Sequence, residues 1–112
     1  GKLKEAAATP TPVPSGAANG PKLDLVAQNV KFDKSALSAP ANAPFTIHFD
    51  NRDAGTSHDV DILDAGGTKV FDGKDFPGPA AQDYGVGALP AGTYKFECSI
   101  HPTLMFGTLT VQ

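Results

Sequence analysis

Alternation restricts the fold of this chain more than any other feature. Apolar and polar side chains take turns along short runs, and glycine or proline soon stops each run. In "KLDLVAQ", Leu23, Leu25 and Ala27 share a face. In "FTIHFDN", Phe45, Ile47 and Phe49 point one way and Thr46, His48 and Asp50 the other. "HDVDIL" groups His58, Val60 and Ile62, "TYKFEC" groups Tyr94, Phe96 and Cys98, and "GTLTVQ" turns Leu109 and Val111 inward. A two-residue period marks a strand with one buried face, because successive Cβ atoms point to opposite sides of a sheet. The clusters "SAPANAP", "DAGGT", "DGKDFPGP" and "LPAG" separate the runs and hold five of the 12 glycines and five of the 10 prolines. No amphipathic helical pattern competes with them. About seven to eight strands are expected over residues 22–112, which predicts an all-β, Greek-key β-sandwich.

Residues 1–21 obey a different rule. From Ala6 to Gly20 there is no charged residue, Val13 is the only sizeable apolar side chain, and Pro10, Pro12 and Pro14 alternate. Such a Pro/Ala/Thr-rich segment buries too little apolar surface to offset its ordering entropy, and its prolines oppose a helix. It is expected to be a linker, tethering the domain at residues 22–112 to an anchor and placing it outside the cytoplasm, in a periplasm or at a cell surface. No run approaches the roughly 20 apolar residues of a membrane-spanning helix. The net charge of −3 offers no basic surface for nucleic acid. One cysteine excludes an internal disulfide and leaves three roles: buried hydrophobe, intermolecular link, or reactive or metal-binding thiolate.

The neighbours of that cysteine favour the last role. "CSIHPTLM", residues 98–105, holds the only cysteine, one of three histidines and the only methionine. Cys98 ends the penultimate strand on its inward parity, and Met105 shares parity with Gly107, Leu109 and Val111. His58 opens an earlier strand on an inward position. A Greek-key sandwich collects its loops at two poles, so one pole can gather His58, Cys98, His101 and Met105. Two imidazoles and a thiolate with a weak axial thioether form the ligand set of a mononuclear blue-copper centre. Zn²⁺ also accepts a Cys/His/His set, but the thioether points to copper. His48, on the polar face of its strand, is read as a surface residue. Asp72, Asp75 and Asp83 are read as solvated turn residues.

Three separated segments, in order, resemble the small cupredoxins of plastocyanin and amicyanin type. "FECSIHPTLMFGTLTV" is similar to their C-terminal signature, "FDNRDAGTSHDVDIL" to the region of their first ligand, and "ALPAGTYKFEC" to the strand that delivers the cysteine. The resemblance implies a single copper, cycling between Cu(I) and Cu(II), with His58, Cys98 and His101 as equatorial ligands and Met105 as the axial one. Asn51, Asp59 and Ser99 would surround them. His101 would serve as the electron port, within an uncharged patch of Ile100, Pro102 and Leu104. The chain also departs from the family pattern. Its His-to-Met spacing is longer than in amicyanin-like members and shorter than in plastocyanin-like ones, and Ile100 stands where many relatives have proline. Asp59 replaces the usual asparagine after the first histidine; ionised, it would favour Cu(II).

The leading expectation is therefore a monomeric blue-copper electron-transfer protein with transient protein redox partners. The alternative is a copper storage or delivery protein of the same fold, without redox turnover. An enzyme is not expected, because His48 is the only histidine left for a second metal centre.

Overall fold

One edge of each large sheet is a parallel pair, and this decides which loops meet. In a computed structural model, which describes residues 20–112, the strands are β1 (Lys22–Ala27), β2 (Ala36–Ala39), β3 (Phe45–Asn51), β4 (Ser57–His58), β5 (Asp61–Leu63), β6 (Lys69–Asp72), β7 (Phe76–Pro77), β8 (Ala80–Val86), β9 (Gly92–Glu97) and β10 (Phe106–Val111). The expected linker lies outside the described residues, apart from Gly20 and Pro21. One sheet has the order β1-β3-β8 and the other β2-β10-β9-β5-β6, while β4 and β7 form a small ribbon. β1 runs parallel to β3, and β2 parallel to β10; the remaining pairs are antiparallel. Among the described residues there is no helix, and so none long and apolar enough to cross a membrane.

The inner faces of the two sheets form one core. Leu25, Ala27, Phe45, Ile47, Phe49, Tyr84 and Val86 come from the first sheet. Leu37, Ala39, Ile62, Tyr94, Phe96, Leu109 and Val111 come from the second. Phe49 is central: its ring lies 5.7–6.0 Å from those of Phe32, Phe76 and Tyr84. Burial of such side chains contributes about 1.5–3 kcal/mol each. This is the β-sandwich expected from the alternation, with the two-residue strands β4 and β7 added.

Alternation breaks down between His58 and Ile62, where every residue is buried, including Asp59 and Asp61. β5 is flanked on both sides, by β9 and β6, and Asp61 is covered as well. Its Oδ1 accepts the Gly73 N–H at 3.1 Å, and Lys69 Nζ lies 3.1 Å from Oδ2. Burial lifts the Asp61 carboxyl to about 6, against the pull of Lys69. Two other acidic residues correct the reading of them as turn residues. Asp72 lies in β6 and Asp83 in β8, and Asp83 meets Lys22 and, across the β3–β8 pair, His48. Asp75 lies outside the strands and is exposed.

Gly107 in β10 faces Phe96 directly across the β9–β10 ladder. A Cβ there would stand 2.2 Å from the Phe96 ring and 2.7 Å from the Ser35 carbonyl. The aromatic ring occupies the space that a side chain would need. Gly107→Ala should therefore destabilise the fold by about 1–3 kcal/mol, the usual cost of overpacking. Thermal unfolding of the metal-free protein measures it, and an unchanged Tm would contradict the packing described.

Candidate metal centre

Three potential ligand atoms converge at one pole. A nitrogen of His58, the sulfur of Cys98 and a nitrogen of His101 all lie within 4.8 Å of one another. Cys98 Sγ is 3.8 Å from Nδ1 of each histidine. The two imidazole rings meet edge to face, with centroids 5.0 Å apart. His58 and Cys98 are fully buried, and His101 is partly exposed.

Each member is held by backbone structure. Cys98 follows β9 immediately, and the loop after it is closed by its own hydrogen bonds. The His101 N–H donates to the Cys98 carbonyl, and those of Leu104 and Met105 donate to the His101 carbonyl. The Cys98 N–H in turn donates to the Met105 carbonyl at 3.0 Å. This brings Met105 beside Cys98 along the backbone, and Met105 is fully buried. His58 sits in the β4–β7 ribbon opposite Phe76. Buried Asn51, at the end of β3, secures that ribbon. Its amide donates to the Thr56 and Phe76 carbonyls at 2.9 Å each, and its Oδ1 accepts the Asp53 N–H.

Asp59 joins the His58 and Cys98 segments. One carboxylate oxygen accepts the Ser99 N–H at 2.7 Å and the other the Ser99 hydroxyl at 2.5 Å. Around the sulfur, burial pushes the Cys98 thiol up, while backbone N–H groups of Asp59, Ile100 and His101 favour the thiolate. A cation at the site would favour the thiolate further.

One residue absent from the sequence reading stands against the site. His58 Nε2 lies 2.7 Å from Asp53 Oδ2. The same carboxylate accepts the backbone N–H groups of Asn29 at 2.6 Å and Val30 at 2.9 Å. The Val30 bond, followed by that to His58, holds the Asp53 carboxyl below the usual range. Asn29 and Val30 both have φ of 57°. For a β-branched residue this left-handed conformation costs on the order of 1–3 kcal/mol. No periodicity marks Asp53, because its turn partners lie 23 and 24 residues away.

The remaining residues named from the sequence lie at the rim. Ile100 is 47% exposed and Leu104 64%, while Pro102 and Thr103 are also exposed. Phe106, at 51% exposure, lies in β10 with Lys95 Nζ 5.3 Å over its ring.

A mixed sandwich that gathers His, Cys and His at one pole has the architecture of a cupredoxin. The chain belongs to the cupredoxin-like domain family, whose model matches residues 4–111. Among solved structures, auracyanin A, a "blue" copper protein from the green thermophilic photosynthetic bacterium Chloroflexus aurantiacus, is 22% identical with a TM-score of 0.74. The match covers 83% of this chain and 100% of that one. Reduced auracyanin from Roseiflexus castenholzii is 18% identical with a TM-score of 0.73, over 81% of this chain and 96% of that one. Amicyanin from Paracoccus versutus is 20% identical with a TM-score of 0.62, over 91% and 92%. At these identities the likeness is one of fold. No curated protein matches the chain.

Asp59→Ala should leave the two Ser99 donors without their acceptor and loosen the loop from Cys98 to Met105. A cost of about 1–3 kcal/mol is expected, with faster amide hydrogen exchange at Ser99 in the metal-free protein. Unchanged protection of the Ser99 amide would show that Asp59 does not secure the loop.

Proposed function

We propose that the chain is a one-electron carrier with a single copper site. The supporting observation is the buried convergence of one thiol and two imidazole Nδ1 atoms. This donor set suits copper, because a soft thiolate and borderline imidazoles serve both of its oxidation states. His58, Cys98 and His101 would hold the metal, with Met105 as the weak fourth ligand. Copper bound there supplies a Cu(II)/Cu(I) couple.

The remaining work falls to the protein. The Asp59–Ser99 bonds and the hydrogen-bonded loop hold Cys98 and His101 at fixed separation, so a change of charge requires little movement. Burial of His58 and Cys98 keeps water from the thiolate. His101, partly exposed, connects the site to the surface. Exposed Ile100, Pro102 and Leu104 surround it with an uncharged patch suited to brief encounters, since weak redox interfaces are small. The partners are transient redox proteins, and the domain works as a monomer outside the cytoplasm, tethered through residues 1–21. Copper storage or delivery is the lesser reading, because two of the three converging groups are fully buried and rapid handover needs accessible ligands. No catalytic role is assigned.

Adding Cu(II) to the metal-free protein should produce an intense visible band from the thiolate–copper bond, absent in Cys98→Ala. A colourless wild-type protein would remove the reading altogether. Leu104→Lys should retain copper and its colour but slow electron exchange with a redox partner, followed by stopped-flow absorbance. Equal rates would place the port elsewhere.

A further inference from the structure

We infer that Asp53 is a positioning residue for His58, and that the turn after β1 holds Asp53 in place to do this. The inference rests on the copper reading only for its consequence, the effect on metal affinity.

The chain's topology brings the parts together. β1 and β3 are parallel and in register from Lys22↔Thr46 to Ala27↔Asn51, so they end at the same pole. The pairing continues one step further, where the Arg52 N–H donates to the Ala27 carbonyl at 2.8 Å. Asp53 is therefore delivered beside the turn that follows β1. That turn is closed by the Gln28 N–H on the Lys31 carbonyl and by the Ala27↔Phe32 bridge. With both Asn29 and Val30 at positive φ, their successive N–H groups point outward to the same carboxylate. Glycine is the usual occupant of such a position, and valine is among the least suited. The arrangement persists here with Val30 packed against the core.

Three donors thus converge on one carboxylate: two backbone N–H groups and the His58 ring. A carboxylate without a proton can only accept, so His58 must present Nε2–H to it. A neutral imidazole carries a single ring proton, and Nδ1 is left bare. Nδ1 is the atom that faces Cys98 Sγ. Asp53 therefore selects the tautomer in which the metal-facing nitrogen has a free lone pair, and it fixes the plane of the ring. Partners of this kind on a ligating histidine contribute about 10–100-fold to metal affinity. The device differs from the Asp59–Ser99 contacts, which act on the cysteine loop.

The tautomer can be read without any metal. In the ¹⁵N-labelled metal-free protein at mildly alkaline pH, long-range ¹H–¹⁵N spectra should show His58 with a protonated Nε2 and a bare Nδ1. In Asp53→Ala, resonances of the Nδ1–H tautomer should appear, and affinity for Cu(I), measured by competition with a chelator, should fall about 10–100-fold. A purely structural role would lower the Tm of Asp53→Ala and leave the His58 tautomer unchanged, which would overturn the inference. So would a wild-type protein carrying Nδ1–H, and that measurement decides the matter even if Asp53→Ala does not fold. Failure of the wild-type protein to bind copper would instead refute the proposed function and leave the tautomer result standing.

Discussion

Two sheets whose inner faces carry Leu, Ile, Val and Phe can leave water only by closing on each other, and the rest of the structure follows from that closure. The inner faces become continuous, so the connections are driven to the two ends of the sandwich, where backbone polar groups can still be satisfied. Phe49 shows how tightly this is set, with aromatic rings from Phe32, Phe76 and Tyr84 around it. Gly107 yields its side-chain volume to Phe96 for the same reason. The frame around the site is therefore closely packed.

That packing matters at the pole where His58, Cys98 and His101 meet. His58 comes from a two-residue strand that could not hold a position alone. It is placed by Asn51 through the carbonyls of Thr56 and Phe76, and its ring is engaged by Asp53. Cys98 and His101 are placed by hydrogen bonds within their own loop and by Asp59. The site is thus held from two directions, by the loops of β1 and β3 on one side and the β9–β10 loop on the other. An electron carrier benefits from such double anchoring, because little rearrangement accompanies the change of charge.

Much of this was legible in the residues. Strict alternation in "FTIHFDN" and "TYKFEC" marked the buried faces, and Phe45, Ile47, Phe49, Tyr94, Phe96 and Cys98 are all buried. Parity alone placed Met105 with Gly107, Leu109 and Val111, and all four are buried. Parity failed at Asp59 and Asp61, and at Thr46 in β3, which was expected to face outward and is buried. A central strand can have both faces covered, and no local pattern announces the cover. Asp72 and Asp83 resemble turn residues by type, yet cross-strand partners place them in β6 and β8.

The sequence by itself determined the fold class, the inward faces and the kinds of metal-binding side chain on offer. Those properties follow from the order of residues along a strand, which a two-residue period records. Tertiary structure alone decided which nitrogen of His58 faces Cys98, and that Asp53, Asn29 and Val30 belong to the same local arrangement. The reason is the parallel β1–β3 pair. It sets side by side two loops that are more than twenty residues apart along the chain, and a hydrogen bond between them depends on distance in space, which no local pattern encodes.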